Sequence, residues 1–141
     1  MMPIKSWEEN EELKWDPSFE LGHGVIDTEH RILHKLIVDF QEAVAQGVSK
    51  EKLTRILEEI IEYAEFHFSS EEKIMADYHY PERDEHALLH NDLLADVQNK
   101  CAQFQENKID PVQLDEFLLN WFAFHTSHED KKLVSYINKS K

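Results

Sequence analysis

Glycine, proline and cysteine are scarce in this chain: three, four and one among 141 residues. A lone cysteine, Cys101, excludes an internal disulfide and a thiolate cluster, so any metal bound here is held by nitrogen and oxygen. Cys101 itself is expected to be an ordinary core residue. Scarce glycine and proline leave few points at which a helix has to break. Nowhere do about 18 uncharged apolar residues follow one another, which argues against a membrane-spanning helix. Residues 1–16 carry neither a basic leader nor an apolar run of signal-peptide length, so a soluble, cytoplasmic protein is expected. Positive charge is also short, with 15 basic against 29 acidic side chains and a formal net charge of -14. Such a chain repels a phosphate backbone and an anionic bilayer, which removes nucleic acid and membrane from the expected partners. Strand-like alternation, repeats and low-complexity tracts are absent. Histidine is the one abundance, with nine copies.

A length of 141 residues suits one domain with a real core. Helical periodicity recurs four times in it. The first helix is predicted to start near Asp27, as N-cap, and to end near Gly47, with a seam of Ile26, Leu33, Ile37, Phe40 and Val44. The second follows Ser49, with Leu53, Leu57, Ile60 and Ala64, and continues through His67 and Glu71 to Ile74. The third is predicted to begin at about Pro81, with His86, His90, Leu93, Val97 and Phe104 on its seam. The fourth opens on the capping arrangement of Asp110, Pro111 and Gln113 and carries Leu114, Leu118, Trp121 and His125. Short connections make sequential helices antiparallel, so the expected fold is all-α: an up-down-up-down four-helix bundle over about residues 26–139, behind an N-terminal arm of about residues 1–25.

That topology brings His30, His67 with Glu71, His86 with His90, and His125 to one end of the bundle, each on a seam where an apolar residue belongs. A single seam histidine is ordinarily a hydrogen-bonded core residue. Convergence changes the reading. H-x-x-x-E in the second helix and H-x-x-x-H in the third each put two side chains on one face, about 5–6 Å apart, as a shared metal requires. Glu71 among imidazoles must be protonated, paired or metal-bound. No lysine or arginine occupies the neighbouring seam positions, which leaves a metal as its best partner. His34 reads as a flanking polar position, and His23, His79 and His128 as surface groups or outer supports. The fourth helix leaves its carboxylate open. Glu129, four residues after His125, shares its face in a straight α-helix, whereas Asp130, five residues on, turns inward only if the terminal turn loosens into a π-like bulge.

Across most of its length the chain resembles the hemerythrin family, in particular its single-domain bacterial branch. The residues that carry the likeness are Trp15 and the Gly22 region, Ile26-Asp27-Thr28-Glu29-His30, His67-Phe68-Ser69-Ser70-Glu71-Glu72, Tyr80-Pro81, His86 with His90, and Trp121 with His125 and Asp130. The resemblance implies two non-haem irons and no haem: His86, His90 and His125 on one, His30 and His67 on the other, and Glu71 and Asp130 bridging both. It thereby selects Asp130 over Glu129. At about six ligands per iron, five imidazoles and two bridging carboxylates supply nine of roughly twelve bonds, and a bridging oxo or hydroxo oxygen adds two. The position left open falls on the iron with two histidines, the implied dioxygen site. Leu33, Phe68, Trp121, Phe122 and Thr126 match the family's dioxygen pocket. Thr126 stands where an aliphatic residue is more usual, and its hydroxyl could admit water or proton donors.

The implied function is reversible dioxygen binding by a carrier, store or supply protein that is not an enzyme, and that is expected to be a monomer. A rival reading is a di-iron oxidase or peroxidase. Its ferritin-like form expects repeated E-x-x-H pairs, and only Glu20 with His23 offers one. Another is a nitric-oxide or oxygen sensor module, for which an attached output domain is expected and none is read in the sequence.

Overall fold

A computed structural model describes residues 15–140; the earlier part of the arm and the final residue lie outside the described residues. A short 3-10 turn, Pro17–Phe19, leads into α1 (Gly24–Gln46), α2 (Lys50–Asp77), α3 (Arg83–Gln105) and α4 (Pro111–His125). From α4 the chain continues through one π turn, Thr126–Asp130, into α5 (Lys131–Lys139), so α4 and α5 form one interrupted rod. Helix α1 packs on α2, α2 on α3, α3 on α4 and α4 back on α1, which is the expected up-down-up-down bundle.

Most helix ends follow the sequence chemistry. Gly47 takes the left-handed conformation (φ 69°) that closes α1, and the Ser49 side chain accepts from the Lys52 N–H to open α2. Asp110 and Gln113 form a reciprocal capping box at α4. Two starts need correction. Helix α1 begins at Gly24, capped by His23, whose ring nitrogen accepts from the Ile26 N–H. Asp27 is already one turn inside and uses its carboxylate backwards, accepting from the N–H groups of Leu21, Gly22 and His23 at 2.9, 2.9 and 3.1 Å. Helix α3 begins at Arg83 after the cap residue Glu82, leaving Pro81 in the preceding turn.

The predicted seams form the core, in two parts. The larger apolar cluster runs along the bundle through Leu33, Ile37, Phe40, Leu57, Ile60, Val97, Leu114, Leu118 and Phe122, with Cys101 partly buried against it. A smaller one, Ile26, Met75, Tyr80, Leu133, Val134 and Ile137, closes one end. The inward polar residues lie between them, since His30 falls between Ile26 and Leu33 on α1, and Asp130 between Phe122 and Leu133 on the last rod. The described part of the arm, from Trp15 on, folds over the side of this region. Phe19 packs edge-on against Phe122 at 5.2 Å, and Trp15 is held by Glu20 and by Arg31, whose guanidinium lies 4.3 Å above its ring. Among the described residues no helix is long and apolar enough to cross a membrane.

Candidate metal centre

Each predicted inward side chain arrives from its own helix: His30 from the first turns of α1, His67 and Glu71 from one face of α2, His86 and His90 from the start of α3, and His125 from the end of α4. Asp130 closes the set from the last residue of the π turn. A π turn bonds residue i to i+5, so the five-residue step from His125 to Asp130 returns to the same face. All seven residues are buried, Glu71 and Asp130 completely. Glu129 keeps about a third of its side chain in solvent and lies 3.8 Å from Lys132.

Their donor atoms form two groups that share both carboxylates. Glu71, His86, His90, His125 and Asp130 make one, and His30, His67, Glu71 and Asp130 the other, with ligand atoms within 4.8 Å of one another in each. Each carboxylate divides its oxygens between the groups. Glu71 Oε1 lies 2.9 Å from His86 Nε2 and 3.0 Å from His90 Nε2, while Oε2 faces His67 Nε2 at 3.5 Å. Asp130 Oδ1 lies 3.0 Å from the Nε2 atoms of both His86 and His125, and Oδ2 lies 2.8 Å from His30 Nε2.

Hydrogen bonding does not satisfy this cluster by itself. His67 Nε2, Glu71 Oε2 and His125 Nε2 are buried without a hydrogen-bond partner, and the 3.0 Å approach of His125 to Asp130 is not in hydrogen-bonding geometry. Unpartnered buried polar atoms are costly, and here they converge on common points. Cations at those points would satisfy them, and the donor set, five imidazoles and two carboxylates, suits iron, manganese or zinc. Without a cation the carboxylates draw protons onto His67 and His86. Burial alone would lower the pKa of His67, but the Asp130, Glu29 and Glu71 carboxylates raise it to about 10. His86 is likewise depressed by burial and raised by Asp130 and Glu71, again to about 10. Burial pushes the Asp130 carboxyl up, yet the facing histidines, His125 foremost, hold it well below the ordinary range, and Glu71 is lowered by His86 and His90 against burial and Asp130.

A further ring of groups orients the imidazoles. His67 Nδ1 meets Glu29 Oε1 at 2.7 Å, and Ser70 Oγ donates to Glu29 Oε2 at 2.9 Å. His90 Nδ1 meets Glu72 Oε2 at 2.9 Å. Carboxylates behind imidazoles fix ring orientation and increase ligand basicity. Sequence reading assigned no role to these residues, because Glu29 and His67 are 38 positions apart and meet only across the α1–α2 contact. The buried glutamate next to His30 is the one local signal. The remaining histidines stand outside both groups: His23 caps α1, His34 packs against Trp15, His79 is exposed in a turn, and His128 stacks on Phe124 at 4.6 Å.

Beside the cluster is a cavity of about 10 Å³, lined by His30, Leu33, His67, Phe68, Trp121, Phe122, His125 and Thr126. All five residues expected of the pocket therefore surround one space. That is about the room one water molecule needs. Trp121 turns its N–H away, to the Leu93 carbonyl at 3.0 Å, so the Thr126 hydroxyl is the sole polar side-chain group there besides the imidazoles.

A sequence model of the hemerythrin HHE cation binding domain matches residues 21–137. The chain is similar to a bacteriohemerythrin of Clostridium acetobutylicum, 31% identical over 126 residues that cover 85% of this chain and 97% of that protein. It is also similar to a myohemerythrin of Theromyzon tessulatum, 30% identical over 110 residues (78% and 84%). A bacteriohemerythrin of Pseudomonas aeruginosa is 26% identical over 128 residues (91% and 83%).

Proposed function

The chain belongs to the hemerythrin family, and from that premise we propose that its buried centre holds two non-haem irons and binds dioxygen reversibly at one of them, as an oxygen carrier or store rather than an enzyme. The observation that carries this reading is the division of both buried carboxylates between a three-histidine and a two-histidine group. A negative bridge on two sides is what two adjacent cations need to offset their repulsion. His86, His90 and His125 would hold one iron, His30 and His67 the other, with Glu71 and Asp130 on both. When bound, the metal pair supplies two reducing equivalents to dioxygen and takes them back on release.

The protein's own part is to hold, shield and limit. Glu29 and Glu72 set the orientation of His67 and His90. The two apolar clusters on either side keep water from the centre. The cavity borders both imidazoles of the group that has fewer ligands, and its volume of about 10 Å³ suits a diatomic molecule, not an organic substrate. That size favours binding over oxidation of a second reactant. The test is anaerobic iron loading, an elemental assay, and visible spectra through cycles of air and vacuum. Two irons per chain and a charge-transfer band that appears in air and vanishes under vacuum are expected. One zinc per chain with no iron uptake, or irreversible oxidation without a coloured adduct, would overturn the proposal.

A further inference from the structure

Outside the same end of the bundle lies a groove of about 450 Å³, lined by Tyr80 and Pro81 from the α2–α3 turn and by Lys131, Lys132, Tyr136 and Lys139 from α5. On a chain of net charge -14 this is a local reversal of sign. Lys131 and Lys139 are exposed and form no ion pair among the described residues, and Lys132 lies 3.8 Å from Glu129. Glu82, at the rim, is the one acidic side chain that lines the groove. Nothing in the bundle's packing requires three lysines here, because α5 is held by Leu133, Val134 and Ile137 on its opposite face.

The floor of the groove leads inward. The half-buried Tyr136 ring stands 5.2 Å from that of Tyr80, which is 6% exposed, and Tyr80 stands 6.4 Å from the ring of His86. Packed rings thus connect a positively charged surface to a side chain of the three-histidine group.

We propose that this groove docks an acidic electron-transfer protein that re-reduces the centre once it has been oxidised, with electrons entering over Tyr136, Tyr80 and His86. The proposal rests on the di-iron reading. Each encounter would oxidise the carrier by one electron; two encounters would return to the iron pair the two electrons it had lost, and solvent would supply the proton that accompanies them. The tyrosines shorten the gap and are themselves neither oxidised nor reduced. Redox encounters use small, weak interfaces, and the lysines steer a negative partner that the rest of the surface repels.

The probe is photoreduced flavin mononucleotide, an anionic donor, with reduced methyl viologen as a cationic one, each reacted with oxidised, iron-loaded protein over a range of ionic strength. The wild-type rate with flavin is expected to fall as salt rises, although the net charge demands the reverse. In a Lys131→Glu, Lys132→Glu, Lys139→Glu variant with wild-type iron content, that rate should drop about tenfold at low salt and then rise with salt, while viologen reacts no more slowly than before. Binding of oxidised flavin, followed by its fluorescence, gives a reading independent of electron transfer and should weaken in the same variant. Tyr136→Leu, compared at saturating flavin so that any change in binding drops out, should slow the reduction; an unchanged saturating rate overturns the path. A wild-type flavin rate that rises with salt, or equal rates and binding in wild type and triple variant, overturns the docking site. Preferential binding of the wild type to phosphatidylserine vesicles, with no difference in flavin reduction, overturns it in favour of a membrane surface. A protein that takes up no iron overturns the di-iron reading separately, and is recognised from the metal assay before any rate is measured.

Discussion

Glu29 is the sharpest test of how the centre is held, because it does not line the cavity beside the cluster and belongs to neither donor group. Its carboxylate lies 2.7 Å from His67 Nδ1, with the side chain 10% exposed, and Ser70 secures the other oxygen at 2.9 Å. Glu29→Ala leaves a buried imidazole N–H without a partner, which costs about 1–3 kcal/mol. It also frees the ring to rotate and makes Nε2 a weaker donor. Loss of such an outer carboxylate lowers metal affinity about 10- to 100-fold, or about 1.4–2.8 kcal/mol. The upper end is expected for Glu29→Ala and the lower end for Glu29→Gln, whose amide oxygen still accepts but without charge. Ser70→Ala, which removes one hydrogen bond to the carboxylate, should cost only a few-fold. The assay is competition for ferrous iron against a chelator of known affinity under anaerobic conditions, counting iron per chain at each chelator concentration. The loss should fall on one of two sites, because Glu29 supports the two-histidine group alone. Glu65→Gln, on an exposed position of α2, serves as control. Wild-type affinity in Glu29→Ala, or an equal loss in the control, would refute the idea that the outer carboxylate organises the site.

Two further expectations follow from the buried carboxylates. Asp130→Ala removes an oxygen from each donor group, so iron per chain should fall sharply, whereas Glu129→Ala should change it little; the reverse pattern in identical loadings would show that the bridge comes from Glu129. In the metal-free protein, His67 and His86 are raised from 6.5 to about 10, so their stabilising contribution is fully present below pH 6.5 and lost as pH climbs through 10. Glu71 and Asp130 are lowered, so theirs is present above their ordinary values of 4.5 and 3.8 and lost as acid titrates the folded state. Urea midpoints of chelator-treated protein should therefore decline from pH 6.5 to 10; a flat or rising profile would contradict the charge pairing described here.

Much of the fold was legible because its signals are local and repeated. The seam of α2, from Leu53 through Leu57, Ile60 and Ala64, is buried throughout, and Gly47, Ser49 and the Asp110 box mark helix ends by chemistry that acts within a few residues. The two misplaced starts have a shared cause. Asp27 and Pro81 are both residues that favour a helix N-terminus, but a side-chain acceptor can serve N–H groups before it as well as after it, and a proline fits a turn as well as a first helical residue. Which one occurs depends on where the arm and the α2–α3 turn pack. Periodicity carried no information about that.

The site divides along the same line. His30, His67, Glu71, His86, His90 and His125 could be brought to one level from topology, since each replaces an apolar residue at a seam position. Asp130 could not, because an α-helical period directs the fourth helix's carboxylate to Glu129 and only a change in the helix's own hydrogen bonding redirects it. The π turn at Thr126–Asp130 supplies that change. It brings a second carboxylate into a pocket already holding Glu71, an arrangement of two buried negative charges that protonated His67 and His86 offset when no cation is there. A regular α-helix would have left Asp130 outside and turned Glu129, one residue earlier, towards the face of His125, so the π turn decides which of the two carboxylates the groups share. The irregular turn therefore places the one of those two carboxylates that lies within reach of both donor groups, which is the reason to read it as part of the candidate metal centre and not as a flaw in the fourth helix.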